Sequence, residues 1–97
     1  MRVIARKTLI LYYTKHADAK TALEEWFVKT MTSEWLCFSD IKKSFSSVDA
    51  IGDKRFVFNI KGNNYRLIAI VLYQPKLVFI RFIGTHEEYN KINCLKI

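Results

Sequence analysis

RFVFNIKGNNYRLIAIVLYQPKLVFIRFIG, residues 55–84, decides the fold. Three runs inside it, Arg55 to Ile60, Tyr65 to Tyr73 and Leu77 to Gly84, are rich in Val, Ile, Phe and Tyr, which suit a pleated, half-buried surface. Lys61-Gly62-Asn63-Asn64 separates the first two and offers Gly and Asn for positive φ. Gln74-Pro75-Lys76 separates the second two and carries the only proline, where it breaks no ladder. The stretch predicts an antiparallel three-strand meander.

Upstream the apolar period lengthens. Asp18 is an expected N-cap, and Ala22, Leu23, Trp26, Phe27 and Met31 recur at helical spacing after it. Glu25 and Lys29 form an i,i+4 pair on the opposite side. An earlier helix is expected from Arg6 to about Lys15, with Leu9, Ile10 and Tyr13 on one side. Met1 to Ile4 reads as an edge strand. Ser39-Asp40 opens a short third turn through Ile41 to Phe45, and Thr85 caps a last turn from His86 to about Lys91. Helices first and strands after predict an α+β fold, the N-terminal helices packed on one face of a small antiparallel sheet. No linker or repeat divides the 97 residues, so residues 1–97 are expected to form one domain.

Composition sets the partner class. The net charge of +7 points to an anionic partner, and 51% hydrophobic residues exclude a disordered tail. The charge is uneven. Residues 1–50 hold eight basic against six acidic side chains, and residues 51–97 eight against three. From Lys54 to His86 there are six basic residues and no acid. No apolar run approaches a membrane span, and no signal-peptide core follows Arg2, Arg6 and Lys7, so a cytoplasmic protein is expected. Cys37 and Cys94 lack the neighbours of a zinc site and, without a secretion signal, are expected as small buried apolar residues.

Arg66 and Arg81 each interrupt an apolar strand. With period 2, Arg66 shares a face with Ile68, Ile70 and Leu72, and Arg81 with Leu77, Phe79 and Ile83. One such arginine is ordinarily a snorkelling side chain at a sheet margin. Two, with Lys54 and Lys61 nearby and no acid to neutralise them, favour an anion site, because the guanidinium fork grips phosphate oxygens bidentately. His86 and Tyr89 follow, three residues apart and on one face if the tail is helical. Histidine exchanges protons near neutrality, and tyrosine stacks on bases or assists proton transfer. Alone, a terminal histidine is a solvated surface residue. Tyr65 and Lys54-Arg55-Phe56-Val57-Phe58 interleave basic and aromatic residues as RNA-binding sheets do, although such aromatics are more often core. Lys42-Lys43 reads as a solvated face, and His16 is given no role.

Phe56-Val57-Phe58-Asn59-Ile60, Gly62-Asn63, Tyr65-Arg66-Leu67 and Ile80-Arg81-Phe82-Ile83-Gly84-Thr85-His86 with Tyr89 closely resemble the HigB family of type II toxins. Arg2-Val3-Ile4, Arg6-Lys7 and Asp40-Ile41-Lys42 to Phe45 resemble it too, so the likeness spans essentially the whole chain. The resemblance implies a RelE-like fold and an mRNA interferase that cuts translated mRNA on the ribosome without a metal or other cofactor. It also implies a helix-turn-helix antitoxin of the HigA type. Operator DNA would be met only through the toxin–antitoxin complex, and no membrane partner is implied. Carried over by position, Arg66, Arg81, His86 and Tyr89 match the family's catalytic residues. Lys54, Lys61 and Tyr65 would hold RNA. Many relatives have an acid directly after the tyrosine, where this chain has Asn90, and a proline before the third helix, where it has Cys37-Phe38-Ser39.

Metal-free RNA cleavage activates a ribose 2′-hydroxyl against the adjacent phosphate. It needs a base, an acid and positive charge for the phosphorane. The expected roles are Arg66 and Arg81 for charge, His86 for acid–base transfer and Tyr89 as its assistant. A non-catalytic RNA- or ribosome-binding module would account for the charge and the sheet aromatics equally, but not for the His86 and Tyr89 pair. A DNA-binding domain would need a basic recognition helix, and the second helix balances two lysines against two glutamates.

Overall fold

A computed structural model describes all 97 residues. The elements run β1 (Arg2–Ile4), α1 (Arg6–Lys15), a 3-10 turn (Ala17–Ala19), α2 (Lys20–Met31), α3 (Phe38–Ser44), β2 (Asp49–Gly52), β3 (Arg55–Ile60), β4 (Tyr65–Leu72), β5 (Leu77–Thr85) and α4 (His86–Asn90). The expected meander is β3-β4-β5, antiparallel throughout. Two strands extend it into a five-stranded mixed sheet of order β1-β5-β4-β3-β2. β1 pairs parallel to β5, which corrects the expectation of a purely antiparallel sheet. The reason is topological: α1 and α2 leave β1 over one face, and the chain returns through β2 at the far edge. β2 itself was not anticipated, since four mostly exposed residues carry no alternation.

The sheet face under the helices is the main core. Phe56, Phe58 and Ile60 of β3, Tyr65, Leu67, Ala69 and Val71 of β4, and Val78 and Ile80 of β5 pack there with Leu9, Leu23, Trp26, Trp35 and Ile41. Trp26, Trp35, Phe45 and Phe58 interlock with ring centroids 5.2–6.5 Å apart. Phe27, next to Trp26, is only half-buried, and Arg6 lies over its ring at 4.5 Å. The other face is smaller. Val57 and Ile68 are buried there, and the C-terminal segment crosses it, with Arg55 donating to the Ile97 carbonyl at 2.6 and 3.0 Å.

Three local expectations are corrected. Asp18 does not cap α2; the cap position is Ala19 without a side-chain bond, and Asp18 is drawn away to β4. Cys37 is exposed and Cys94 half-exposed, each unpaired. In the 61–64 turn the left-handed residues are Lys61 and Gly62, while neither asparagine takes positive φ.

Candidate active site

β3, β4 and β5 present a row of polar positions at one end of the outer sheet face. Arg66 on β4 lies directly between Asn59 on β3 and Gly84 on β5. β2 stops at Asp49 opposite Val57, so nothing pairs with β3 beside Asn59. Asn59 is a candidate that sequence reading passed over. The available signal was an amide in an apolar strand, on the same alternation as Arg66's neighbours.

Gly84 makes close packing possible. A Cβ there would collide with the Phe82 ring and press on Glu88 of α4. With hydrogen alone at this position, α4 folds back against the end of β5. Thr85 caps α4: its hydroxyl accepts from the Glu88 amide at 3.1 Å, and the Glu88 carboxylate accepts from the Thr85 amide at 2.8 Å. This capping box satisfies two otherwise orphaned donors and holds a helix of only five residues. The Thr85 backbone bond, the largest influence, draws the Glu88 carboxyl below its ordinary range.

The short helix delivers Tyr89 and His86. The Arg66 guanidinium lies over the Tyr89 ring, its Cζ 4.8 Å from the centroid. Its Nε is buried without a protein partner. Burial pushes the Tyr89 phenol up, Cys94 adds to this, and Arg66 pulls the other way. The hydroxyl therefore keeps its proton at neutral pH. His86 is exposed at the first position of α4. Its Nδ1 lies 3.2 Å from the Asn90 side-chain nitrogen. With the amide donating to Nδ1, the imidazole proton rests on Nε2. Asn90 is thus in place to orient His86.

Arg81 sits apart from this group. A β-bulge makes it the unpaired residue between Ile80, opposite Ala69, and Phe82, opposite Ile68. The bulge overturns the expected period beyond it: Phe82 shares a face with Phe79, while Ile83 turns to the helix-side core. Arg81 is exposed, about 10 Å back along β5 from Gly84 at ordinary strand rise. That spacing sets Arg81 back from the group formed by Arg66, Tyr89 and His86.

The three expected RNA-holding residues are dispersed. Lys61 lies at the site's end of the sheet, 3.2 Å from Asp18 in a half-exposed ion pair. Lys54 lies in the β2–β3 turn at the opposite end. Tyr65 points the other way from Arg66, into the helix-side core, and is 7% exposed. Its hydroxyl donates to Asp18 at 2.7 Å. Its ring meets Tyr12 and His16 edge-on. A ring so enclosed offers no face to a base, so its visible task is to tie β4 to the 3-10 turn. Asp18 in turn is held below its ordinary carboxyl value, first by the Tyr65 hydroxyl and then by Lys61. No three His, Cys, Asp or Glu side chains gather as a metal-binding group.

Comparison with known proteins meets this geometry. The family model described as HigB_toxin, RelE-like toxic component of a toxin-antitoxin system, matches residues 19–92. The "mRNA interferase toxin HigB" of Escherichia coli (strain K12) is 38% identical over 92 residues, 93% of this chain and 88% of that protein. The "mRNA interferase HigB" of Shigella flexneri is similar to the same extent. That of Escherichia coli O6:H1 is 23% identical over 94 residues, covering 95% of this chain and 91% of its own.

Proposed function

Since this chain belongs to the HigB family of toxin–antitoxin toxins and is an mRNA interferase, we propose that it cuts mRNA on the ribosome at the Arg66–Tyr89–His86 end of its outer sheet face, by metal-independent acid–base chemistry. One observation carries this reading. The capped α4 brings a proton-exchanging imidazole and an aromatic platform to the end of the sheet where Arg66 keeps a buried, unpartnered Nε–H.

In the proposed reaction the 2′-hydroxyl passes its proton to water or to a non-bridging phosphate oxygen as it attacks the adjacent phosphorus, the P–O5′ bond breaks, and a 2′,3′-cyclic phosphate and a 5′-hydroxyl form. Arg66, fixed on Tyr89, neutralises the phosphorane oxygens. His86 acts as the doubly protonated imidazolium, with the Asn90 amide turned so that its oxygen accepts from Nδ1–H; Nε2 gives its proton to the leaving oxygen and the ring is left as neutral imidazole. Arg81, set back along β5, takes a neighbouring phosphate. Lys54 and Lys61 hold the backbone further out, without base preference. So few groups suffice if the ribosome positions the substrate, since positioning alone removes several kcal/mol of barrier. The chain's antitoxin is proposed to be a helix-turn-helix protein that binds the shared operator together with the toxin.

The test is single-turnover cleavage on ribosomes stalled over a defined mRNA, with binding measured separately. His86→Gln is expected to bind nearly as wild type and to cut about 10²-fold more slowly or worse. Loss of binding and cutting together would make a non-catalytic binding module the better reading. Cleavage is expected to survive EDTA under conditions that keep ribosomes intact. Restoration by one particular divalent ion only would exclude the metal-free scheme.

A further inference from the structure

β5 leaves part of its outer edge unpaired. β1 covers it only from Leu77 to Phe79, and β5 continues to Thr85. Between Ile80 and Gly84 that edge presents backbone N–H and C=O groups with no strand beside them. Such an edge templates strand addition, and proteins usually cover or shorten it. Here it borders a groove of about 380 Å³, walled by Ile83 on one side and Thr8, Leu11, Tyr12, Lys15 and His16 along α1 on the other. Leu11 is 60% exposed on that wall. The groove thus offers both halves of a strand-binding site, a ladder of backbone partners and an apolar bed.

Charge selects the occupant. Lys15 on one wall and Arg81 at the bulge are exposed cations without an ion-pair partner. The two acids nearby are already engaged, Asp18 by Tyr65 and Lys61 and Glu88 by the Thr85 amide. The same edge leads from Arg81 to His86, so a strand laid along it covers one proposed RNA contact and ends at another.

We propose that the β5 edge between Ile80 and Gly84 is where the antitoxin docks, by adding a short, extended, acidic segment as a sixth strand over Arg81. The inference rests on the toxin–antitoxin reading and extends it. Neutralisation follows from the geometry, because a segment there competes with RNA for Arg81 and obstructs the approach to His86.

The experiment uses the full chain and the full-length antitoxin encoded with it. Hydrogen exchange is read amide by amide across β5, alone and in the complex. Leu11→Glu, a change at an exposed position of the groove wall and outside the proposed catalytic site, supplies the second arm. The outward-pointing amides between Arg81 and Gly84 are expected to slow at least tenfold in the complex. Leu11→Glu is expected to weaken antitoxin binding tenfold or more and to cut mRNA at the wild-type rate. A complex in which those amides exchange as in the isolated chain would overturn the docking site alone. Wild-type chain that fails to bind the antitoxin at all would overturn the partner assignment and the site with it. Concentration-dependent protection of the same amides in the isolated chain would assign the edge to a second copy.

Discussion

At the residue scale the Arg66–Tyr89 contact is the part most open to test. A guanidinium over an aromatic ring is worth about 0.5–2 kcal/mol depending on its desolvation. If the ring is what matters, Tyr89→Phe should cut within about threefold of wild type, since it keeps the platform under Arg66. Tyr89→Leu removes the platform and should lose about tenfold or more in single-turnover cleavage. Equal losses in both would shift the role to the hydroxyl. Arg81→Ala removes an exposed side chain at a bulge. It should melt with the wild type by circular dichroism and yet relieve growth arrest. The two arginines were legible because charge inside an apolar strand stands out in any alternation. What Tyr65 does was not, because its partner Asp18 lies 47 positions away and only the folded sheet brings them together. Nor was the swap of Phe82 for Ile83, since one bulged residue reverses every later face and leaves no trace in composition.

At the element scale the site depends on α4, and α4 depends on its cap. An isolated helix of five residues does not hold itself together in water. Thr85→Ala removes an N-cap and should cost about 1 kcal/mol. Most of that would appear as fraying of α4, and so as slower cleavage with a small change in melting temperature. Gly84→Ala should be worse, because its methyl group meets both the Phe82 ring and α4. The second tie is Asp18 on Tyr65. A carboxyl whose folded pKa is depressed stabilises above its unfolded value and loses that contribution as pH falls through the folded one. Asp18 is such a group, lowered from 3.8. The gap between wild type and Asp18→Asn in urea midpoint should therefore be full at pH 6 and close as pH falls below about 4. A gap unchanged down to pH 2.5 would mean that the ionic form contributes nothing. The main helix was readable from its apolar spacing, and the meander from runs of Val, Ile, Phe and Tyr set between turn residues. The parallel pairing of β1 was not, since three residues carry no sign of strand direction.

At the scale of the whole molecule, the two sheet faces divide the work. One holds the aromatic core and the helices; the other holds Arg66 and its neighbours and is partly roofed by the C-terminal segment. No helix is long and apolar enough to cross a membrane. The excess charge belongs to the strand half of the chain, and each phosphate-holding lysine should reduce the salt slope of RNA or ribosome binding by about one when replaced by Ala. The β2–β3 turn adds a further consequence. Asp53 and Lys54 take φ of 50 and 62°, so both central residues of a two-residue hairpin are left-handed. Lys61 and Lys76 do the same at the next two turns. Glycine would fit each position without the penalty that a Cβ incurs there, about 1 kcal/mol. Lys54→Gly should accordingly raise the unfolding midpoint and at the same time weaken RNA binding. Lys54→Gly would thus exchange hold on RNA for durability at a single turn residue, giving a hardier but blunter toxin.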